Sequence, residues 1–91
     1  MDALRMYQNH LEEEEKSELT IEKYLRDVRA FLRWAGGRPL DKPLVKAYKE
    51  ELKKAYAIAS INSMLASVNS YLLYIGRGDC RVKCIKQQRR L

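Results

Sequence analysis

Four stretches of this chain place apolar residues at helical spacing, and each ends at a turn signal before the next begins. In the first, DALRMYQNHLEEEE, Leu4, Tyr7 and Leu11 share one face, and the acidic run Glu12 to Glu15 falls near the helix C-terminus, where negative charge is unfavourable and fraying is expected. Ser17 to Leu19 form the link. The second run, TIEKYLRDVRAFLRWAG, gathers Ile21, Tyr24, Leu25, Val28, Phe31, Leu32 and Ala35 within an arc of roughly 120° and stops at Gly36-Gly37. Thr20 reads as its N-cap, with Leu19 packing on Tyr24 as a hydrophobic staple. The third is capped by Asp41, tolerates Pro43 in its first turn, uses Leu44, Val45, Tyr48, Leu52 and Ala55, and ends near Tyr56. Ser60 is read as the cap of the fourth.

The sum is an all-α protein. With 91 residues there is room for one core, and four Gly and two Pro leave little material for a turn-rich sheet fold. The expected architecture is a compact four-helix bundle over residues 1–76. Setting the fourth helix under the second aligns Ile21 with Ile61, Leu25 with Leu65, Val28 with Val68, Leu32 with Leu72 and Gly36 with Gly76, always forty residues apart. Helical periodicity alone produces part of that agreement, and two units are too few for a solenoid.

The fourth helix stands out. Ala57 to Gly76 carries no charge, although 33% of the chain is Asp, Glu, Lys or Arg. On a helical wheel Ile61, Met64, Leu65, Val68, Tyr71, Leu72 and Ile75 fall on one side, and Ser60, Asn62, Ser63, Ala66, Ser67, Asn69 and Ser70 on the other. A membrane span needs ~20 predominantly apolar residues, and half of this surface is Ser, Asn and Ala. The apolar side reads as core. An ordinary solvated face carries Lys and Glu, so a small, neutral, hydrogen-bonding face suits close approach to another surface: a partner protein, or the major groove of DNA.

Charge favours the nucleic acid. The net charge is +6, and residues 77–91 hold six basic residues against one acidic, a net +5 in a C-terminal tail. That tail, with the basic outer face of the second helix (Lys23, Arg26, Arg29, Arg33), supplies the phosphate-neutralising charge that duplex binding requires. Cys80 and Cys84 have no His near them and read as free thiols, so no metal or other cofactor is expected. No apolar h-region follows Met1, so no secretory signal is expected, and no Ser-His-Asp set or Gly-rich phosphate loop suggests an enzyme.

Together SELTIEKYLRDVRAFLRWAG, LDKPLVKAYKEEL and ASINSMLASVNSYLLYIG resemble, in order and separation, the N-terminal core-binding domain of tyrosine recombinases, the phage-integrase family. The resemblance implies a SAM-like helical bundle forming half of a clamp around double-stranded DNA. Carried over by position, the expected DNA-binding residues are Thr20, Lys23, Arg26 and Asp27 on the second helix and Ser60, Asn62, Ser63, Ser67 and Ser70 on the fourth. Residues 77–91, with Arg77, Arg81, Lys83 and Lys86, would be a basic linker toward a catalytic domain. Family members often carry Arg or Lys where this chain has Ser63 and Asn69, which implies weak binding from the fourth helix. The family's reaction uses a Tyr nucleophile with Arg, Lys and His-x-x-Arg, whereas the one His here, His10, precedes Leu-Glu-Glu. No catalytic residue is expected in this chain, and the recombinase activity is expected of a longer protein. The resemblance further implies a cytoplasmic, DNA-associated protein of bacterial or phage encoding, a monomer in isolation and oligomeric at full length on DNA. The competing reading is a SAM-like protein-interaction module whose Ser/Asn face docks another helix.

Overall fold

The computed structural model describes residues 3–86. Helices α1 (Ala3–Glu13), α2 (Glu18–Ala35), α3 (Lys42–Lys53) and α4 (Ile58–Tyr74) are followed by a 3₁₀ turn, Gly78–Cys80. Residues 81–86 then run without helix or strand; we call them the strap. The remainder of the tail, 87–91, lies outside the described residues.

The helix ends explain where sequence signals mislead. Ser17, not Thr20, caps α2: its Oγ accepts from the Thr20 backbone N–H at 3.2 Å and donates to Thr20 Oγ1 at 2.9 Å. Both residue types cap well, and Ser17 stands three residues before the N–H that needs an acceptor. Leu19 is consequently in the first turn and 79% exposed, so it staples nothing. Ser60 is likewise inside α4, whose N-cap is Ala57 with no side-chain cap bond. Residues 57–60 are all exposed, which lets water serve the orphan N–H groups of that first turn. Asp41 does cap α3, accepting from the Leu44 N–H at 2.9 Å. That helix ends at Lys53, three residues short of Tyr56.

Rather than fraying, α1 closes in a Schellman turn. Glu15 adopts a left-handed φ of 61°, the Lys16 N–H reaches the Leu11 carbonyl at 3.3 Å, and the Glu15 N–H reaches that of Glu12 at 3.0 Å. At the end of α2 the left-handed position is Gly36, and Arg38 adds two bonds of 2.8 Å to the carbonyls of Ala35 and Trp34 while stacking over the Trp34 ring.

Two apolar clusters meet along α2 and α4. Tyr7, Leu11, Ile21, Leu25, Val28 and Tyr71 join α1 to them. Phe31, Val45, Tyr48, Leu65, Val68 and Leu72 join α3, and this second cluster also takes in Cys80 and Val82. The packed unit therefore runs past Gly76, because Cys80 is fully buried and Val82 nearly so. Trp34 and Tyr74, at the edges of their helices' polar faces, pack on neighbouring segments: Trp34 against Tyr48, Tyr74 against Tyr7 and His10.

Candidate nucleic-acid interface

The forty-residue offset is a physical register. Lys23 Nζ donates to the Ser63 carbonyl at 2.9 Å, and Ser67 Oγ donates to Asp27 Oδ2 at 2.8 Å, so α2 and α4 meet at matched levels. Lys23 Nζ also reaches Asp27 Oδ2 at 2.7 Å and Ser67 Oγ at 3.0 Å. An ammonium has three protons, and three acceptors surround this one. The carboxylate is only 11% exposed and the lysine 32%, so the pair is shielded enough to matter. Ser67 is wholly buried, a correction to the clean two-faced wheel: it leaves the outward side of α4 because Lys23 and Asp27 cross the seam to meet it. Thr20, one turn before Lys23, is partly exposed, and Arg26 is exposed.

On its other flank α4 holds the strap. Asn69 Nδ2 donates to the Val82 carbonyl at 2.8 Å while its Oδ1 accepts from the Val82 N–H at 3.1 Å. Asn62 does the same to Ile85, at 2.9 and 2.7 Å. Each amide thus binds one residue's whole peptide edge, as a neighbouring strand would. The spacings agree: seven residues of helix rise about 10 Å, and three residues of polyproline II rise about 9 Å and return to the same side. Arg81, at φ −63° and ψ 147°, has that polyproline conformation. Lys49 Nζ, bonded to the Lys83 carbonyl at 2.6 Å, secures the strap from α3.

Of the remaining expected site residues, Ser70 shares a 2.8 Å hydrogen bond with the Tyr7 hydroxyl and Ser60 is exposed. Burial pushes the Tyr7 phenol above its ordinary 10.0. Arg77 binds Asp79 at 3.3 Å, and that hydrogen bond holds the Asp79 carboxyl below the usual carboxylate range. Arg81 turns back to the Gly78 carbonyl at 3.0 Å; Lys83 and Lys86 are exposed. The outward stripe of α4 is left to Ala59, Ala66 and Leu73, all exposed, with Ser63 and Ser70 partly so on one side and Asn62 on the other. Basic residues border this neutral stripe on both flanks: Arg26 on α2, and Arg81, Lys83 and Lys86 on the strap.

Sequence reasoning missed Asn69, which it treated as a position where a cation would be expected. It also overlooked Lys42, Lys46 and Lys49 beside the strap, although their spacing was visible. Among the described residues no His, Cys, Asp and Glu cluster could hold a metal ion, and no helix is long and apolar enough to cross a membrane. Cys80 and Cys84 are both free thiols, the first buried and the second exposed.

The family model of the phage integrase N-terminal SAM-like domain matches residues 4–77. The chain belongs to that family. The four-helix architecture of this integrase SAM-like domain is the one the resemblance implies, and the matched segment ends at Arg77. The buried Cys80 and the strap lie beyond the match yet are packed on the same bundle. No curated protein and no solved structure matches the chain.

Proposed function

We propose that this integrase SAM-like domain binds duplex DNA at a recombination core site, with α2 and α4 toward the major groove. The observation that carries the reading is the attachment of a basic strap alongside α4 through Asn62 and Asn69. It supplies cations at a fixed distance from a neutral helix face, so phosphates can be held on the flanks while small side chains approach base edges. The groove-facing set is Thr20, Arg26, Ser60, Ser63 and Ser70, with Lys23, Asn62, Asp27 and Ser67 maintaining the arrangement of α2, α4 and strap. Arg77, Arg81, Lys83 and Lys86 meet the backbone. The domain acts as part of a recombinase whose catalytic groups belong to another domain, in a DNA-associated cytoplasmic setting, as a monomer by itself and as an oligomer when the whole protein assembles on DNA.

The exposed Leu73, at 57%, favours a second reading, a protein-interaction module that docks a helix on the Ala59, Ala66 and Leu73 stripe. An amide NMR titration with a short random-sequence duplex at low salt separates them. Shifts on α2, α4 and the strap support the DNA clamp, and if about six phosphates are neutralised the log K against log salt slope is near −5. Shifts confined to residues 77–91 leave the interaction module as the better reading, and a nearly flat salt dependence also counts against the clamp.

A further inference from the structure

Lys42, Lys46, Lys49 and Lys53 stand four, three and four residues apart on α3. At 3.6 residues per turn they fall within an arc of about 60° and span about 16 Å of helix. The strap runs beside this row, and the two enclose an open cleft of about 520 Å³ lined by Lys42, Lys46, Lys49, Glu50, Val82 and Lys83. Arg81 and Lys83 extend the same basic wall around Asn69 and Gly78. The acids nearby are engaged: Glu50 pairs with Lys53 at 2.9 Å and Asp79 with Arg77 at 3.3 Å. Among the described residues no carboxylate pairs with Lys42, Lys46, Arg81 or Lys83.

This surface is turned away from the α2/α4 seam. Tyr48, which packs on Phe31 and Trp34 of α2, lies about 130° around α3 from the lysine row. On α4 the strap-holding Asn62 and Asn69 lie about 130° from Ser63 and Ser67, which face Lys23 and Asp27, and about 50° from the Ala59, Ala66 and Leu73 stripe, so the strap divides that stripe from the α3 row.

We infer that the cleft between α3 and the strap is a second nucleic-acid surface, one that takes the phosphodiester backbone of a duplex segment other than the one facing α2 and α4. The chemistry favours a uniform polyanion over an acidic protein. Protein interfaces depend on buried aromatic and Arg anchors and are poor in Lys, and Val82 is the one apolar residue lining this cleft. Lysines act as point charges that need no fixed acceptor geometry, and a row about 16 Å long laid along a duplex covers the axial rise of roughly five phosphates of each strand at 3.4 Å each. The strap cations Arg81 and Lys83 lie between the two surfaces, whereas the α3 lysines belong to this one alone, so the part of the inference that rests on α3 survives failure of the α2/α4 reading.

The test compares the Lys42→Gln/Lys46→Gln and Arg26→Gln/Arg33→Gln double variants of the whole chain, titrated with a random-sequence duplex by fluorescence anisotropy across a salt series and by amide NMR. All four side chains are exposed, and a thermal melt checks that each variant is folded. Removing Lys42 and Lys46 should raise Kd at least about tenfold at low salt, lower the salt slope by about 2, and erase shifts at residues 42–53. The α2 shifts should persist in that variant, and the α3 shifts should persist in the arginine variant. An unchanged Kd and slope in the lysine variant overturns the inference. So does a poly-glutamate peptide of equal charge that displaces duplex from α3 at lower charge concentration, which would assign the surface to acidic protein. Loss of the α2 shifts alone counts against the α2/α4 face and leaves this one standing.

Discussion

Asn69 grips Val82 at both its N–H and its carbonyl, with bonds of 3.1 and 2.8 Å, and Val82 is buried. Truncating the amide leaves both main-chain groups without their partner, each at a cost of about 1–3 kcal/mol less whatever water recovers. Asn69→Ala is therefore expected to lower unfolding stability by about 2 kcal/mol. Hydrogen exchange at residues 80–86 should rise at the same time, with α1 and α2 unchanged. Unaltered exchange at the Val82 and Ile85 amides in the Asn62→Ala/Asn69→Ala double variant would show that the strap is held by something else.

Lys23 gives all its protons to Asp27, Ser63 and Ser67. Asp27→Asn removes the charge partner while keeping the shape, and because Lys23 is a third exposed the loss is expected to be about 1–2 kcal/mol, in chemical denaturation. The same pairing forecasts weak dependence of DNA binding on Lys23. In a salt-resolved anisotropy series, Arg26→Gln should weaken binding more than Lys23→Gln in variants of matched folded fraction.

Glu15 occupies the left-handed position that ends α1. Glycine adopts this conformation without the Cβ penalty, and the substitution also removes a negative charge from a helix C-terminus. Glu15→Gly should stabilise the fold by about 0.5–1 kcal/mol, visible as a higher urea midpoint at unchanged m-value. A lower midpoint would contradict the turn described.

Burial raises the phenol pKa of Tyr7 and of Tyr48 above 10.0. The unfolded chain releases these protons first, so stability from the neutral phenols is complete below pH 10 and declines as pH climbs through the raised values. Phenolate absorbance should show a delayed fraction that urea abolishes, and the urea midpoint should fall above pH 10. A single tyrosine transition, identical in folded and unfolded protein, would contradict it.

The apolar faces were legible because burial imposes a period: Leu4, Tyr7 and Leu11, then Ile21 to Ala35, then Ile61 to Leu72 all lie where the spacing puts them. The caps shifted by up to a turn because Ser17 and Thr20 offer equivalent oxygens and α4 starts with none. The polar side of α4 was the least readable part. Ser67, Asn62 and Asn69 are alike on a wheel, yet one is buried by a lysine and an aspartate forty residues or more away and two bind a segment that follows the helix. Partners so distant leave no periodic trace. The row on α3 did leave one, but its lysines sit among the apolar positions that identify the helix, and a basic helix flank is ordinarily only solvated. The strap is what gives that flank a second wall.

Because Asn62 and Asn69 bind only main-chain atoms, the path of the strap does not depend on most of its side chains. Val82 and Ile85 are constrained by packing and Arg81 by its bond to the Gly78 carbonyl; Lys83, Cys84 and Lys86 are free of such requirements. The charge borne along the edge of this domain can therefore be exchanged residue by residue, including to the opposite sign, without rewriting the instructions by which the bundle folds.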